Sequence, residues 1–302
     1  MDLDRDGRVD VLSGSYLPGE LFLFAGAPGG FAAARVLAGA NGEPLRVGRA
    51  SWPFACDWEG DGDLDLVLGN MYGKVFLARN TSGGKALAFA EPVPLVASGA
   101  PLVIEETNAA PCVADWDGDG AQDLVLGTGD GTVLLYRNTS TTRPVGEPVL
   151  AAPRELLPKA LDGAASVRLA RPGQRARVAV CDWNEDGRLD LLVGEHADED
   201  GPSVALDAAQ QRELDAAIRA SVELGLRRGA LESAALARWL EAKKIPPTES
   251  SEHYDDFLGE WLATKEAREL VTRQEELAAL QRRLNPELIE HGRVWVCLRR
   301  AQ

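Results

Sequence analysis

The sequence is poor in the residue types that mark several common functions. Its 302 residues include four cysteines, three histidines and two methionines, and 6% of them are aromatic. The 32 lysines and arginines are outnumbered by 47 acidic residues, so the net charge is −15. Nucleic-acid binding normally needs a basic face, and this composition argues against it. The same acidity gives no attraction to an anionic membrane surface.

Long apolar runs are also missing from the sequence. No run of eighteen apolar residues occurs, so no membrane-spanning helix is predicted. The first residues have neither the basic nor the apolar segment of a signal peptide. Because the chain opens on an acidic loop at Asp2, we expect a piece of a longer protein. The alternative is a small closed ring whose two ends complement one another.

Neither the cysteines nor the histidines indicate a disulfide framework or a zinc site. Cys56 and Cys181 occupy equivalent places in different repeats, where their Cα atoms should lie beyond the roughly 7 Å that a disulfide tolerates. Buried free thiols are therefore predicted. His196, His253 and His291 show no metal-ligand spacing, and no catalytic residue is predicted.

What the sequence does contain is one nine-residue acidic loop, present four times. Each copy has oxygen-bearing side chains at loop positions 1, 3, 5 and 9 and a glycine at position 6. Such spacing brings oxygen ligands to one centre, as Ca²⁺ requires with its shell of about 6–8 oxygens. The predicted Ca²⁺ ligands are Asp2, Asp4, Asp6 and Asp10; Asp57, Glu59, Asp61 and Asp65; Asp115, Asp117, Asp119 and Asp123; and Asp182, Asn184, Asp186 and Asp190.

The loops differ from EF-hands and from one another. No glutamate stands at loop position 12, and β-type runs rather than helical patterns follow each loop, which excludes an EF-hand. Four bound Ca²⁺ ions would reduce the net charge to about −7. The third loop has aspartate at all four ligand positions, so it should bind Ca²⁺ at least as tightly as the second, with Glu59, or the fourth, with Asn184.

Short strands are predicted around each loop. An apolar run closed by glycine follows the loop, as in Leu66-Val-Leu-Gly69, and another begins a few residues later, as in Gly73-Lys-Val-Phe-Leu-Ala78. Another strand precedes the loop, as at 52–56. A weaker fourth strand, such as 86–96 or 148–157, completes the unit. The loops begin 55, 58 and 67 residues apart, which suits four strands per propeller blade.

These features resemble the FG-GAP or VCBS-type repeats of integrin-like β-propellers, whose blades carry Asp-x-Asp-x-Asp-Gly-x-x-Asp between their first two strands. The resemblance covers residues 1–195 and returns near 291–300. It implies a mainly β fold, a partial or small β-propeller of four-stranded blades, with Ca²⁺ in the loops. It implies little about biological role, because one fold hosts many functions.

The fourth unit is interrupted. The glycine that should follow Gly194 within four or five residues is Gly292, 98 residues later. We therefore predict propeller blades at 1–195, a helical insertion in a β-turn at 196–290, and a strand completing the fourth blade at 291–302.

Apolar residues in the insertion recur at helical spacing and predict three helices. The first should bury one face, and the second should be short and end at the break 243–248. The third should run from about residue 254 to 284. The first stripe consists of Leu214, Ile218, Val222 and Leu226; the second of Leu236, Trp239 and Leu240; the third of Phe257, Trp261, Leu277, Leu280 and Leu284. We interpret these stripes as surfaces that pack in a core. The alternative is that the helices form a cap that binds a partner.

Two further repeated features have alternative interpretations. Trp58, Trp116 and Trp183 follow the first ligand in three loops, where we expect packing between blades rather than a stacking platform for a ligand. Asn80-Thr-Ser and Asn138-Thr-Ser match the glycosylation pattern, but both occupy the same repeat position, so shared repeat ancestry explains them equally well.

Two classes of function remain open. The first is a non-enzymatic, calcium-stabilised propeller that acts as a binding or adhesion scaffold for a glycan or protein. The second is the propeller of a lyase-like, polysaccharide-active enzyme, although no cluster of Lys, Arg, Tyr or His is evident. Loop sites with dissociation constants of roughly 10⁻⁴–10⁻³ M need more calcium than the cytosol holds, which predicts a secreted, periplasmic or cell-surface location.

Overall fold

The computed structural model describes residues 1–83, 87–105, 108–140, 148–159, 173–200, 206–246, 250–284 and 288–299. These residues form a mainly β protein with several small antiparallel sheets and three helices. The chain divides into two compact units. The repeat unit comprises Met1–Ala197 and His291–Gln302, and the helical unit comprises Asp198–Glu290.

The repeat unit contains four principal sheets. Sheet one has β1 (Val11–Gly14), β2 (Leu21–Phe24) and β5 (Arg35–Val36); sheet two has β6 (Trp52–Cys56), β7 (Asp65–Gly69), β8 (Val75–Ala78) and β9 (Val93–Pro94); sheet three has β12 (Ala109–Ala114), β13 (Asp123–Thr128), β14 (Val133–Tyr136) and β15 (Arg154–Leu157); sheet four has β16 (Gln174–Cys181), β17 (Asp190–Asp200) and β18 (Leu288–Cys297). Two hairpins pair β3 (Gly26–Ala27) with β4 (Gly30–Phe31) and β10 (Val96–Ala97) with β11 (Ala100–Pro101).

The strands after all four loops, and those before the last three loops, lie where the sequence predicts them. The fourth strands are shorter than expected, since β9 has two residues and β15 has four. In sheets two and three, neighbouring strands pair in sequence order, and β7 pairs antiparallel with β6 and β8. In sheet four, β18 is the hydrogen-bonded neighbour of β17, although the helical unit separates them in the chain.

Consecutive sheets bury apolar side chains against each other. One cluster joins sheets one and two around Leu21, Leu66 and Phe89. The next joins sheets two and three around Trp58, and the last joins sheets three and four around Trp116. These two tryptophans are 1% and 7% exposed, which confirms their packing between sheets, whereas the equivalent Trp183 is 57% exposed. The packing prediction therefore holds for two of the three.

The glycine that closes the strand after each of the first three loops permits close approach of the next sheet. A Cβ atom at Gly69 would lie 2.0 Å from the carbonyl oxygen of Ala109, and one at Gly127 would lie 2.5 Å from that of Ala176. Any larger residue at either position would push consecutive sheets apart. In sheet four, a Cβ at Gly194 would meet nothing nearer than 3.6 Å.

The helical unit contains α1 (Ala208–Lys243), α2 (Ser250–Leu262) and α3 (Lys265–Leu284). Asp207 begins α1 with a capping box that includes Gln210, and Lys244 ends it in the left-handed conformation. The first two predicted helices are therefore one helix. The third is divided near Thr264, whose Oγ1 accepts a hydrogen bond from the backbone N–H of Ala267.

The predicted burial of the first apolar stripe is wrong for three of its four residues. Leu214 is buried, but Ile218, Val222 and Leu226 are 45%, 60% and 73% exposed. Residues spaced by four drift about 40° around a helix at each step, so the stripe turns away from the contact face. Burial in α2 and α3 is confirmed for Phe257, Trp261, Leu277 and Leu284. Among the described residues, no helix combines the length and apolar character needed to cross a membrane.

The four cysteines are free, as predicted, but the prediction that they are buried is wrong for three of the four. Only Cys112 is fully buried, while Cys181 is exposed and the other two are intermediate.

Candidate metal centres

The carboxylate at loop position 1 organises the loop backbone. In the second loop, Asp57 Oδ1 accepts hydrogen bonds from the backbone N–H groups of Gly60 (2.8 Å) and Asp61 (3.1 Å). Its Oδ2 accepts one from Gly62 at 2.9 Å. Asp2, Asp115 and Asp182 accept from the position-6 glycine of their own loops in the same way. That glycine is in the left-handed region in every loop, with φ between 81° and 94°, which explains the residue type.

The carboxylate at position 9 joins the loop to the sheet. Asp123 Oδ2 accepts a hydrogen bond from the backbone N–H of Trp116 at 3.0 Å, and its Oδ1 accepts one from Asn138 at 2.7 Å. The same pair of bonds recurs at Asp10, Asp65 and Asp190. All four side chains are at most 3% exposed. Position 9 therefore has a structural role that the loop pattern, interpreted as a ligand set, did not reveal.

Burial changes the acidity of two of these carboxyls. It raises the pKa of Asp65 to about 6, against the lowering effect of the N–H groups of Asn80 and Trp58. Burial also raises the pKa of Asp123. A cation in the loop would favour the ionised form of these carboxyls and so oppose this effect of burial.

The structure brings the predicted ligands together most clearly in the first and third loops. Carboxylate oxygens from positions 1, 3 and 9 lie within 4.8 Å of one another in each of these loops: Asp2, Asp4 and Asp10, and Asp115, Asp117 and Asp123. The described residues of the second loop form no such group, and there Glu59 Oε2 accepts a hydrogen bond from Arg79 Nε at 2.9 Å. In the fourth loop, Asn184 Nδ2 donates to Asp186 Oδ2 at 3.2 Å.

The remaining predicted ligands are the position-5 carboxylates, which lie at the exposed side of each loop. Each accepts a hydrogen bond from the backbone N–H at position 7, at 2.8–3.0 Å; the four are Asp6, Asp61, Asp119 and Asp186.

Arginines contact an acidic ligand position in every loop. Arg8 and Arg188, at position 7, pair with the position-5 aspartates at 2.7 and 2.6 Å. Arg79 and Arg137, at the end of the third strand, pair with Glu59 and with Asp117. These exposed or half-exposed pairs contribute little to stability, and each offsets part of the negative charge that a metal ion would otherwise meet.

The donor set fits a hard cation. Every predicted ligand offers oxygen, most of it from carboxylates, and the turn around glycine points several of these oxygens to one centre in loops one and three. Nitrogen and sulfur donors, which zinc prefers, are absent from these two groups. The residues present therefore suit Ca²⁺.

The two asparagines of the glycosylation pattern are structural. Asn80 and Asn138 are 5% and 1% exposed. Asn138 Oδ1 accepts hydrogen bonds from the backbone N–H groups of Ser140 and Val149, both at 3.2 Å. Their shared repeat position thus reflects the turn after the third strand.

Comparison with known proteins identifies the repeat. A family model described as an FG-GAP-like repeat matches residues 2–68, 57–126 and 115–193. Each matched segment begins at position 1 of a loop and ends in the strand after the next loop. The matches cover more than half of the chain, which therefore belongs to the FG-GAP-like repeat family.

One similar solved structure is an Agrocybe aegerita lectin, described in terms of specific recognition of non-reducing terminal N-acetylglucosamine. Sequence identity is 22% and the TM-score is 0.35. The alignment covers 64% of this chain and 47% of the lectin chain, so it spans less than half of that protein. A comparison with curated protein sequences finds no match.

Proposed function

We propose that this protein is a calcium-stabilised β-propeller that serves as a non-enzymatic binding scaffold. The observation that carries the proposal is the repetition of one loop geometry in four consecutive sheets. Each time, position 9 accepts one hydrogen bond from the loop and one from the backbone N–H two residues after the end of β2, β8, β14 or β18. Apolar clusters between consecutive sheets support a propeller-type arrangement.

In this proposal, Ca²⁺ is held by the side chains at positions 1, 3, 5 and 9. When bound, it supplies positive charge that offsets the repulsion among three or four carboxylates. The loop backbone is already held by the position-1 and position-9 hydrogen bonds, so the ion adds stability to a preformed turn. The exposed outer side of the unit then offers a surface for a glycan or protein outside the cytosol, where calcium is plentiful.

The helical unit is proposed to be an insertion in the fourth blade. Supporting this, Arg299 N–H donates to Asp190 Oδ1 at 2.7 Å, as Asn138 N–H does to Asp123 in sheet three. The strand after the helices thus occupies the position of β14. Replacing the helical unit with the turn Asn70-Met-Tyr-Gly73 should leave a folded calcium-binding protein. A variant that stays unfolded in millimolar calcium would contradict the insertion.

The binding role is tested by a glycan array, repeated with excess chelator. We expect a limited set of glycans to bind, and binding to fall when calcium is removed. If no glycan binds and no protein partner is captured by cross-linking at native calcium concentrations, the scaffold role is wrong, whatever the calcium affinity.

A further inference from the structure

A cavity of about 600 Å³ lies where sheets three and four meet. Its wall includes apolar side chains such as Leu135, Leu191 and Cys297. Its charged side chains are Arg137, Arg154 and Arg299, together with Asp117 and Asp119 of the third loop. All of these residues belong to the repeat unit. A volume of this size is typical of sites that bind small molecules.

The neighbouring junction explains why there is space here. In sheet three, Asn138 donates the hydrogen bond to the position-9 aspartate, and Tyr136 lies two residues before it. In sheet four, Arg299 is the donor, and Cys297 lies two residues before it. Tyr136 is 4% exposed and packs in the cluster that contains Trp58. A thiol fills much less volume than a phenol ring, so the junction beside Trp116 is left more open.

The three arginines around the cavity differ in how many contacts their guanidinium groups make. The Arg299 guanidinium lies 5.0 Å from the centre of the Trp116 ring, and its Nη1 donates to the Trp116 carbonyl oxygen at 2.6 Å. Arg137 pairs with Asp117. The Arg154 side chain has neither an ion pair nor a hydrogen bond to any residue that the structure describes, and the residue is exposed. An unpaired guanidinium beside an apolar wall suits a carboxylate, which it can bind through two N–H groups.

We propose that this cavity binds an organic anion made of an apolar body and a carboxylate. The body lies against the leucines and Cys297, and the carboxylate accepts hydrogen bonds from Arg154, with Arg299 adding positive charge. This site goes beyond the scaffold function proposed above, because it uses the space left by one residue difference between two junctions. It borders the third calcium loop, whose Asp117 and Asp119 also line the cavity.

The first experiment is calorimetric titration of the full chain, saturated with calcium, with octanoate and with 1-octanol. Octanoate should bind with one-to-one stoichiometry and at least tenfold more tightly than octanol. Arg154→Gln should weaken octanoate binding about tenfold and leave octanol unchanged, while Arg35→Gln, on the distant β5, should change neither. Equal affinity for the two probes, or no effect of Arg154→Gln, would overturn the proposal.

The second experiment fills the cavity as the neighbouring junction does. Cys297→Tyr should abolish octanoate binding without lowering the Tm, and binding at the original affinity would overturn the proposal. If this variant does not fold, maleimide labelling of the unmodified protein decides. Octanoate at saturation should slow labelling of Cys297 at least tenfold and leave exposed Cys181 unchanged. Equal labelling rates of Cys297 with and without octanoate would contradict the site.

Discussion

Different interactions stabilise the repeat unit and the helical unit. In the repeat unit, one aspartate per sheet accepts two backbone hydrogen bonds and joins a loop to a strand, as Asp123 does. In the helical unit, apolar and aromatic packing centres on Phe257, whose ring contacts Trp239, Tyr254 and Trp261. The first kind of structure depends on particular residues at fixed positions, whereas the second depends on burial along a helix face.

The largest expected loss of stability comes from removing the position-9 hydrogen bonds of the repeat unit. Asp123→Ala leaves the buried N–H groups of Trp116 and Asn138 without their acceptor, which should destabilise the unit by about 2–6 kcal/mol. Denaturant unfolding measured in excess EGTA tests this without any contribution from calcium. The matched variant Asp119→Ala removes a predicted ligand at an exposed position, and in EGTA it should cost less than about 1 kcal/mol. Equal costs for the two variants would show that position 9 has no special role.

A smaller effect is expected in the helical unit. Phe257 is 2% exposed, so Phe257→Ala should destabilise this unit by about 3 kcal/mol. Calcium affinity, measured by calorimetry, should not change. Ile218→Ala is the matched control: its side chain is 45% exposed, so the cost should be below about 1 kcal/mol. A large cost at Ile218 would mean that the helix face is covered after all.

The smallest effect concerns differences among the loops. Asn184→Asp restores the charge missing from the fourth loop and should raise its calcium affinity by up to about tenfold, while Asn184→Ala should lower it. Titrations followed by NMR signals of the position-6 glycines would resolve the four loops. We expect the third loop to fill no later than the second or the fourth. If the third loop fills last, ligand charge does not set the order.

The contrast between the units also explains what could be predicted from the sequence. The four loops and their flanking strands are predictable because side-chain oxygens, a left-handed glycine and short apolar runs closed by glycine leave a pattern in the residues themselves. The second role of Asp123 is not, because its partner is the backbone N–H of Asn138, and the equivalent residue is Arg299 in sheet four. A backbone donor places no constraint on residue type.

Other features that the sequence does not reveal have equally local causes. Gly69 ends β7 as predicted, but its main constraint is the carbonyl oxygen of Ala109 in the next sheet, which only the folded chain brings near. Four-residue spacing predicts burial of Val222 and Leu226, but such spacing follows a helix face for only about two turns. The sequence gives no sign of the cavity at Cys297, because only the hydrogen-bond register matches this residue with the larger Tyr136.

The most direct test of the account is hydrogen–deuterium exchange with and without calcium, read by peptide for both units. Each calcium site at one hundred times its Kd adds about 2.7 kcal/mol to the stability of the unit that binds it. Removing calcium with EGTA should therefore speed exchange in β7 and β13 by about one hundredfold or more, where exchange occurs by unfolding of the repeat unit. The calcium-free rates in α1 and α3 should match those with calcium. Unchanged exchange in β7 and β13 would contradict calcium stabilisation of the repeats.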